Sequence, residues 1–164
     1  MKRREILKNL SVIPLAGAMG SIMPENKESE KKSGWIPKKE AVPGVYPTTS
    51  PLSLCIRSGQ LVFLSGIGGW YPNRRTEAGD IKVQINSALT DMKNQLEKAG
   101  SSMANVLKVH MTLADPNKNL APLNEVYATF FPDPKPARSF SGSAPDMMGR
   151  DGVLVQIDCI AYID

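Results

Sequence analysis

Between Asp80 and Gly100 the apolar residues Ile81, Ile85, Ala88, Leu89, Met92, Leu96 and Ala99 recur at helical spacing, with a capping aspartate in front and a glycine stop behind. A helix so sharply amphipathic must lay its stripe on another layer. The flanking segments are β-prone. Residues 54–57 and 60–65 join through Ser58-Gly59 as a hairpin, and Leu61-Val62-Phe63-Leu64, apolar on both faces, predicts a central strand before a loop over 66–79. Residues 106–114 alternate, with Leu107, Val109, Met111 and Leu113 on one face and Lys108, His110 and Thr112 on the other. A second helix, about 120–131, carries Leu123, Val126, Tyr127, Phe130 and Phe131 and stops at Pro132. Strands over 138–143 and 153–163 close the chain, the last preceded by a Gly149-Arg150-Asp151-Gly152 turn. That order predicts an α+β layer, a sheet with both helices on one face and the other face in need of cover.

Composition narrows the function classes. The chain has 164 residues, 41% hydrophobic and 22% charged, enough for one domain with its own core, read as residues 42–164. Its net charge of +4 is uneven: residues 1–34 hold seven Lys/Arg against four Asp/Glu, and residues 35–164 hold thirteen against twelve. A nearly neutral domain with 6% aromatics offers no nucleic-acid footprint, and no nucleic-acid partner is expected.

The N-terminus is laid out differently. Lys2, Arg3, Arg4 and Lys8 precede a short apolar run over 10–23, with Ala16-Gly17-Ala18 as a small-residue cleavage site. Residues 1–22 therefore predict a signal peptide of twin-arginine type and a periplasmic or otherwise exported protein. Pro14, Gly17 and Gly20 interrupt the run, so no membrane association is expected after its removal. Residues 23–41, polar at first and without apolar period, read as a flexible linker.

Arg138 is the chain's best candidate for chemistry. Pro134 and Pro136 forbid helix and stiffen the approach to the strand it opens, so its guanidinium projects from a defined point. A planar five-donor fork held there suits a carboxylate, and an ordinary surface arginine at a strand start is the competing reading.

The run Asn124-Glu125-Val126-Tyr127-Ala128-Thr129-Phe130-Phe131, the Pro-rich turn and Pro136-Ala137-Arg138-Ser139 together resemble the signature of the Rid (YjgF-type) family, the reactive enamine and imine deaminases, some of whose members are called endoribonucleases. The segments 59–66, 84–100 and 153–163 fit the same pattern, so the resemblance covers roughly residues 42–163. It implies a chorismate-mutase-like fold and a homotrimer with clefts between subunits. It also implies hydrolysis of small 2-imino or enamine carboxylates to 2-oxo acids and ammonia, without cofactor or metal. Arg138 would hold the carboxylate, with Ser65, Leu52 and Phe140 also lining the substrate site.

Two positions depart from the family pattern. Gln156 stands where the family has a water-assisting glutamate, and Leu52 where it has a tyrosine. A glutamine can orient a water but cannot take its proton. Asp158 is on the same strand face, displaced by roughly 6.6 Å, and reads best as the family's second acidic position. Asn124 reads as a helix residue that fixes the approach to Arg138.

The remaining residues carry weaker signals. His110, the only histidine, reads as a solvated or sheet-spanning residue before a base. Ser65 has no base in sequence beside it, which argues against a nucleophile. Cys55 and Cys159 read as small buried thiols, although export would permit a disulfide. Trp70 and Tyr71 would rim the cleft or close its edge. Two functions stay open: an imine deaminase working through Arg138 and Gln156, or a non-catalytic trimer binding small carboxylates in the same cleft. An endoribonuclease is a third and weaker reading.

Overall fold

The computed structural model describes residues 38–43, 51–69 and 79–164. The expected signal peptide, most of the linker, Trp70 and Tyr71 lie outside the described residues. Among the described residues six strands and two helices follow one another as β1 (Glu40–Ala41), β2 (Cys55–Ser58), β3 (Leu61–Gly68), α1 (Ile81–Lys98), β4 (Val106–Ala114), α2 (Pro116–Phe130), β5 (Ala137–Ser143) and β6 (Val155–Tyr162). The sheet order is β1-β2-β3-β6-β4-β5, antiparallel throughout except for the parallel pair β4–β5. A parallel pair needs a crossover, and α2 provides it. This is the expected mixed sheet with two helices, and β3 is central as its apolar faces imply.

Both helices pack on one face. Val62, Leu64 and Ile67 from β3, Val109, Met111 and Leu113 from β4, and Val155, Ile157, Cys159 and Ala161 from β6 meet Ile85, Leu89, Met92 and Leu96 of α1 and Leu123 and Tyr127 of α2 in one core. Alternation along the strands then sends Phe63, Ile160, Lys108, His110, Thr112, Gln156 and Asp158 to the opposite, open face. Phe63 and Tyr162 are more than one-third exposed there.

Helix α1 begins and ends as its sequence requires. The Asp80 carboxylate accepts from the Lys82 N–H at 2.8 Å, satisfying one orphan donor of the first turn. Gly100, at φ 81°, adopts the left-handed conformation, while Ser101 N–H donates to Leu96 O and Gly100 N–H to Glu97 O, a Schellman closure. Within the helix, Gln84 is buried and ties the approach to β6: its Nε2 donates to Gly152 O at 2.7 Å and its Oε1 accepts from Leu154 N–H at 2.8 Å.

Four local expectations change. The linker expected to run to residue 41 ends earlier, because Glu40 and Ala41 pair with Arg57 and Ile56. The second strand continues past Ser65 to Gly68, so the loop begins later than expected. Leu107 is not on the buried face: pairing passes from Val106↔Ala161 to Lys108↔Ile160, and this bulge turns Leu107 outward to 48% exposure. Helix α2 begins at Pro116, one turn before residue 120. Pro116 sits at the first helical turn, where its missing N–H costs nothing, and Asn119 Nδ2 donates to Ala114 O at 2.7 Å.

The two cysteines flank one residue. Leu64 pairs with Cys55 on β2 and with Cys159 on β6, which sets the thiols two strand spacings apart, roughly 9.5 Å. That exceeds the Cα separation of a disulfide, and both are free and buried.

Candidate functional site

Arg138 enters from β5 in register with Val109, a core residue, and therefore projects on the helix side of the sheet's edge. Two groups of α2 hold it there. Its Nη1 donates to Asn124 Oδ1 at 2.8 Å, and its guanidinium carbon lies 4.6 Å from the centre of the Tyr127 ring. Asn124 and Tyr127 are three residues apart, hence neighbours on one helix face. Tyr127 is in turn packed on Phe131, with ring centroids 4.7 Å apart. Burial pushes the Tyr127 hydroxyl up to about 12, the nearby Arg138 charge opposing, so the ring stays neutral beneath the cation.

The end of α2 steadies the same approach. Lys135 donates to the Phe131 carbonyl, capping the helix C-terminus beside the stiff 134–136 turn. Arg138 itself is exposed, with one of its five donors committed to Asn124. Phe140, two residues on and in register with Met111, adds a 43% exposed ring on the same side of β5. Asn124, expected to fix the loop before Arg138, contacts the arginine side chain itself.

The other expected residues lie on the open face. Between Leu64↔Cys159 and Ile67↔Ile157 the β3 strand carries one extra residue, so Ser65 and Gly66 together oppose Asp158 in a bulge. The Gln156 side chain lies over Gly66, where an added Cβ would stand 3.3 Å from its Cδ and Nε2. Leu52 lines a separate open hollow of about 400 Å³ with Lys39, Pro51, Ser53 and Ile56. Arg138, Asn124 and Phe140 thus form one group, and Ser65, Gln156 and Asp158 another, on opposite faces of one sheet.

His110 spans the sheet. Its Nδ1 is 3.3 Å from Asp158 Oδ2 on β6, and its Nε2 is 3.3 Å from Ser141 Oγ on β5. Sequence reasoning allowed for a sheet-spanning histidine but did not find Ser141. Tyr127 was read only as an apolar residue of its helix. Its place three residues after Asn124 was the available signal. Among the described residues no group of His, Cys, Asp and Glu is arranged to hold a metal ion, and no helix is long and apolar enough to cross a membrane.

Comparison with known proteins agrees with this architecture. The family model described as Endoribonuclease L-PSP matches residues 45–163. A RutC family protein of Pyrococcus horikoshii is 38% identical over 113 residues, covering 68% of this chain and 86% of the relative. The chloroplastic Reactive Intermediate Deaminase A of Arabidopsis thaliana is 33% identical over 115 residues, covering 69% of this chain and 59% of the relative. The crystal structure of yeast Mmf1 superposes with a TM-score of 0.67 at 29% identity, over 77% of this chain and all of that one. With a mixed six-stranded sheet, two helices on one face and an α2-held arginine opening β5, the chain belongs to the Endoribonuclease L-PSP family, the YjgF/Rid proteins.

Proposed function

We propose that this protein hydrolyses small 2-imino or enamine carboxylates to 2-oxo acids and ammonia, in a site completed between copies of the chain. The observation that carries the reading is the exposed Arg138, held in place by Asn124 and Tyr127. A guanidinium so fixed binds a carboxylate bidentately and loses little freedom in doing so. The protonated imine carbon, already electrophilic, then needs a positioned water. Gln156 orients that water by hydrogen bonds, the water adds to the imine carbon, and ammonia leaves the tetrahedral adduct.

Within one chain Arg138 and Gln156 face opposite ways. A second copy, laid by its β5 edge against the open face of the first, would bring the two groups to one ligand. The apolar Phe63, Ile160 and Tyr162 on that face support such burial, and the assembly proposed is a homotrimer. Light scattering on residues 35–164 is expected to give three copies.

The decisive assay generates short-lived imino acids with an amino-acid oxidase and follows loss of the semicarbazide-trapped imine when the protein is added. Accelerated loss is expected, and a rate equal to the protein-free control would refute the deaminase reading. One observation favours a second reading, carboxylate binding without turnover: Gln156 cannot accept a proton. Ribonuclease chemistry has less support, since residues 35–164 carry thirteen cationic against twelve anionic side chains. Export is part of the proposal, and a reporter fused to residues 1–34 should lose it when Arg3→Lys and Arg4→Lys are combined.

A further inference from the structure

We propose that Phe140 sets the substrate class: the side chain of a molecule whose carboxylate Arg138 holds lies on the Phe140 ring, so the site prefers 2-imino acids with branched aliphatic or aromatic side chains over the smallest ones. The inference rests on the reading that Arg138 grips the carboxylate, and it adds what the rest of the molecule must be.

The two residues share one face of β5. Arg138 is in register with Val109 and Phe140 with Met111, both core positions, so their side chains leave the strand on the same side, roughly 6.7 Å apart. The ring is 43% exposed and, among the described residues, joins neither buried apolar cluster. Its apolar area is left for something outside the core. Next on that face comes Gly142, where α2 closes on the strand: an added Cβ would stand 2.8 Å from Pro116 Cγ. The strand face between Arg138 and Pro116 therefore offers one anion grip, one ring and one wall.

Chemistry then selects the ligand. The guanidinium is tied to Asn124 and lies over Tyr127, so a carboxylate on it takes a set place relative to Phe140. Arg138 is the only charged residue of β5. A substrate side chain ending in a second carboxylate or an ammonium group would lose water there without finding a counter-charge on the strand. An apolar one gains roughly 4-fold in affinity for each methylene buried. The leucine-derived imino acid carries three carbons more than the alanine-derived one, which full burial would turn into roughly 60-fold, and a ring covering one side should give at least about 10-fold.

The inference holds in the homotrimer, because it needs no opening to bulk solvent beyond the space that admits the carboxylate to Arg138. A copy laid against β5 excludes water from that same space and so strengthens the apolar contact. The competing reading is that Phe140 only packs against the neighbouring copy. In that case its removal weakens assembly and leaves selectivity as it was.

The stable 2-oxo acids that correspond to these imines serve as probes in titration calorimetry of the full chain. The parent should bind 4-methyl-2-oxopentanoate at least about 10-fold more tightly than 2-oxopropanoate, and Phe140→Ala should bring that ratio below about 3-fold. Light scattering checks that the variant assembles; if it does not, Phe140→Gln, which keeps bulk but is polar, must lower the ratio in its place. Equal affinities of the parent for the two acids, or binding of neither, would overturn the proposal. So would an assembled variant with an undiminished ratio. Imine hydrolysis measured alongside separates the two ideas: turnover with equal affinities sinks this inference alone, and graded affinities without turnover sink the deaminase reading alone.

Discussion

The guanidinium carbon of Arg138 stands 4.6 Å above the ring of Tyr127, a residue whose hydroxyl is buried without a hydrogen-bond partner among the described residues. The ring serves the cation through its face, and the hydroxyl contributes nothing visible to that role. Tyr127→Phe should therefore keep Arg138 in place and relieve a buried unsatisfied group, raising stability by about 1 kcal/mol in urea unfolding. Tyr127→Leu should raise KM for a carboxylate substrate by roughly 2- to 30-fold at nearly constant kcat, matching a cation–π contact of about 0.5–2 kcal/mol. Equal KM values for the two variants would exclude the positioning role.

Arg138→Ala removes the carboxylate grip itself. Its expected cost is about 2–4 kcal/mol, or roughly 30- to 1,000-fold in ligand affinity or in kcat/KM. Arg138→Lys should recover only part, because a point charge cannot reproduce the planar fork. Parental affinity and parental imine hydrolysis in Arg138→Ala would leave neither functional reading standing.

Gln156→Glu is nearly isosteric and keeps the contact over Gly66. A deaminase should gain turnover of imino acids, since the new carboxylate accepts a proton that the amide cannot. A binding-only protein should lose affinity for the anion by like-charge repulsion, or acquire hydrolysis where the parent has none. Steady-state rates and titration calorimetry on the same pair of proteins separate the outcomes.

Gly69 tests how α1 is seated. A Cβ there would lie 2.5 Å from Gln84 Cβ and 2.8 Å from Gln84 O, and backbone cannot yield as a flexible side-chain tip can. Gly69→Ala should destabilise by about 1–3 kcal/mol, visible as a lower urea midpoint. An unchanged midpoint would mean that the helix is free to move away.

The sequence was legible where periodicity carried the information. Helix α1 came with both its ends because Asp80 and Gly100 act locally, and β3 was placed centrally because two apolar faces need two layers. The start of α2 was missed because residues 116–119 hold no apolar residue and only Pro116 announces the turn. Leu107 was misplaced because a bulge breaks the period of two without marking the sequence. The sequence placed Asn124 on a helix ahead of the stiff turn to Arg138, but the side-chain contact between them appears only once α2 and β5 are packed together. The His110–Ser141–Asp158 row could not, because it depends on strand order, which brings β5, β4 and β6 side by side from distant parts of the chain.

Leu64, standing between Cys55 and Cys159, has a consequence for the chemistry of the medium. The thiols are too far apart to join without tearing β3 from its neighbours, and burial pushes Cys159 up to about 12, leaving almost none of it as thiolate near neutrality. Oxidants that act through thiolates find little to attack, and reductants find no bond to break. The domain keeps one covalent structure on either side of a membrane, so its folding is independent of the redox compartment in which it occurs.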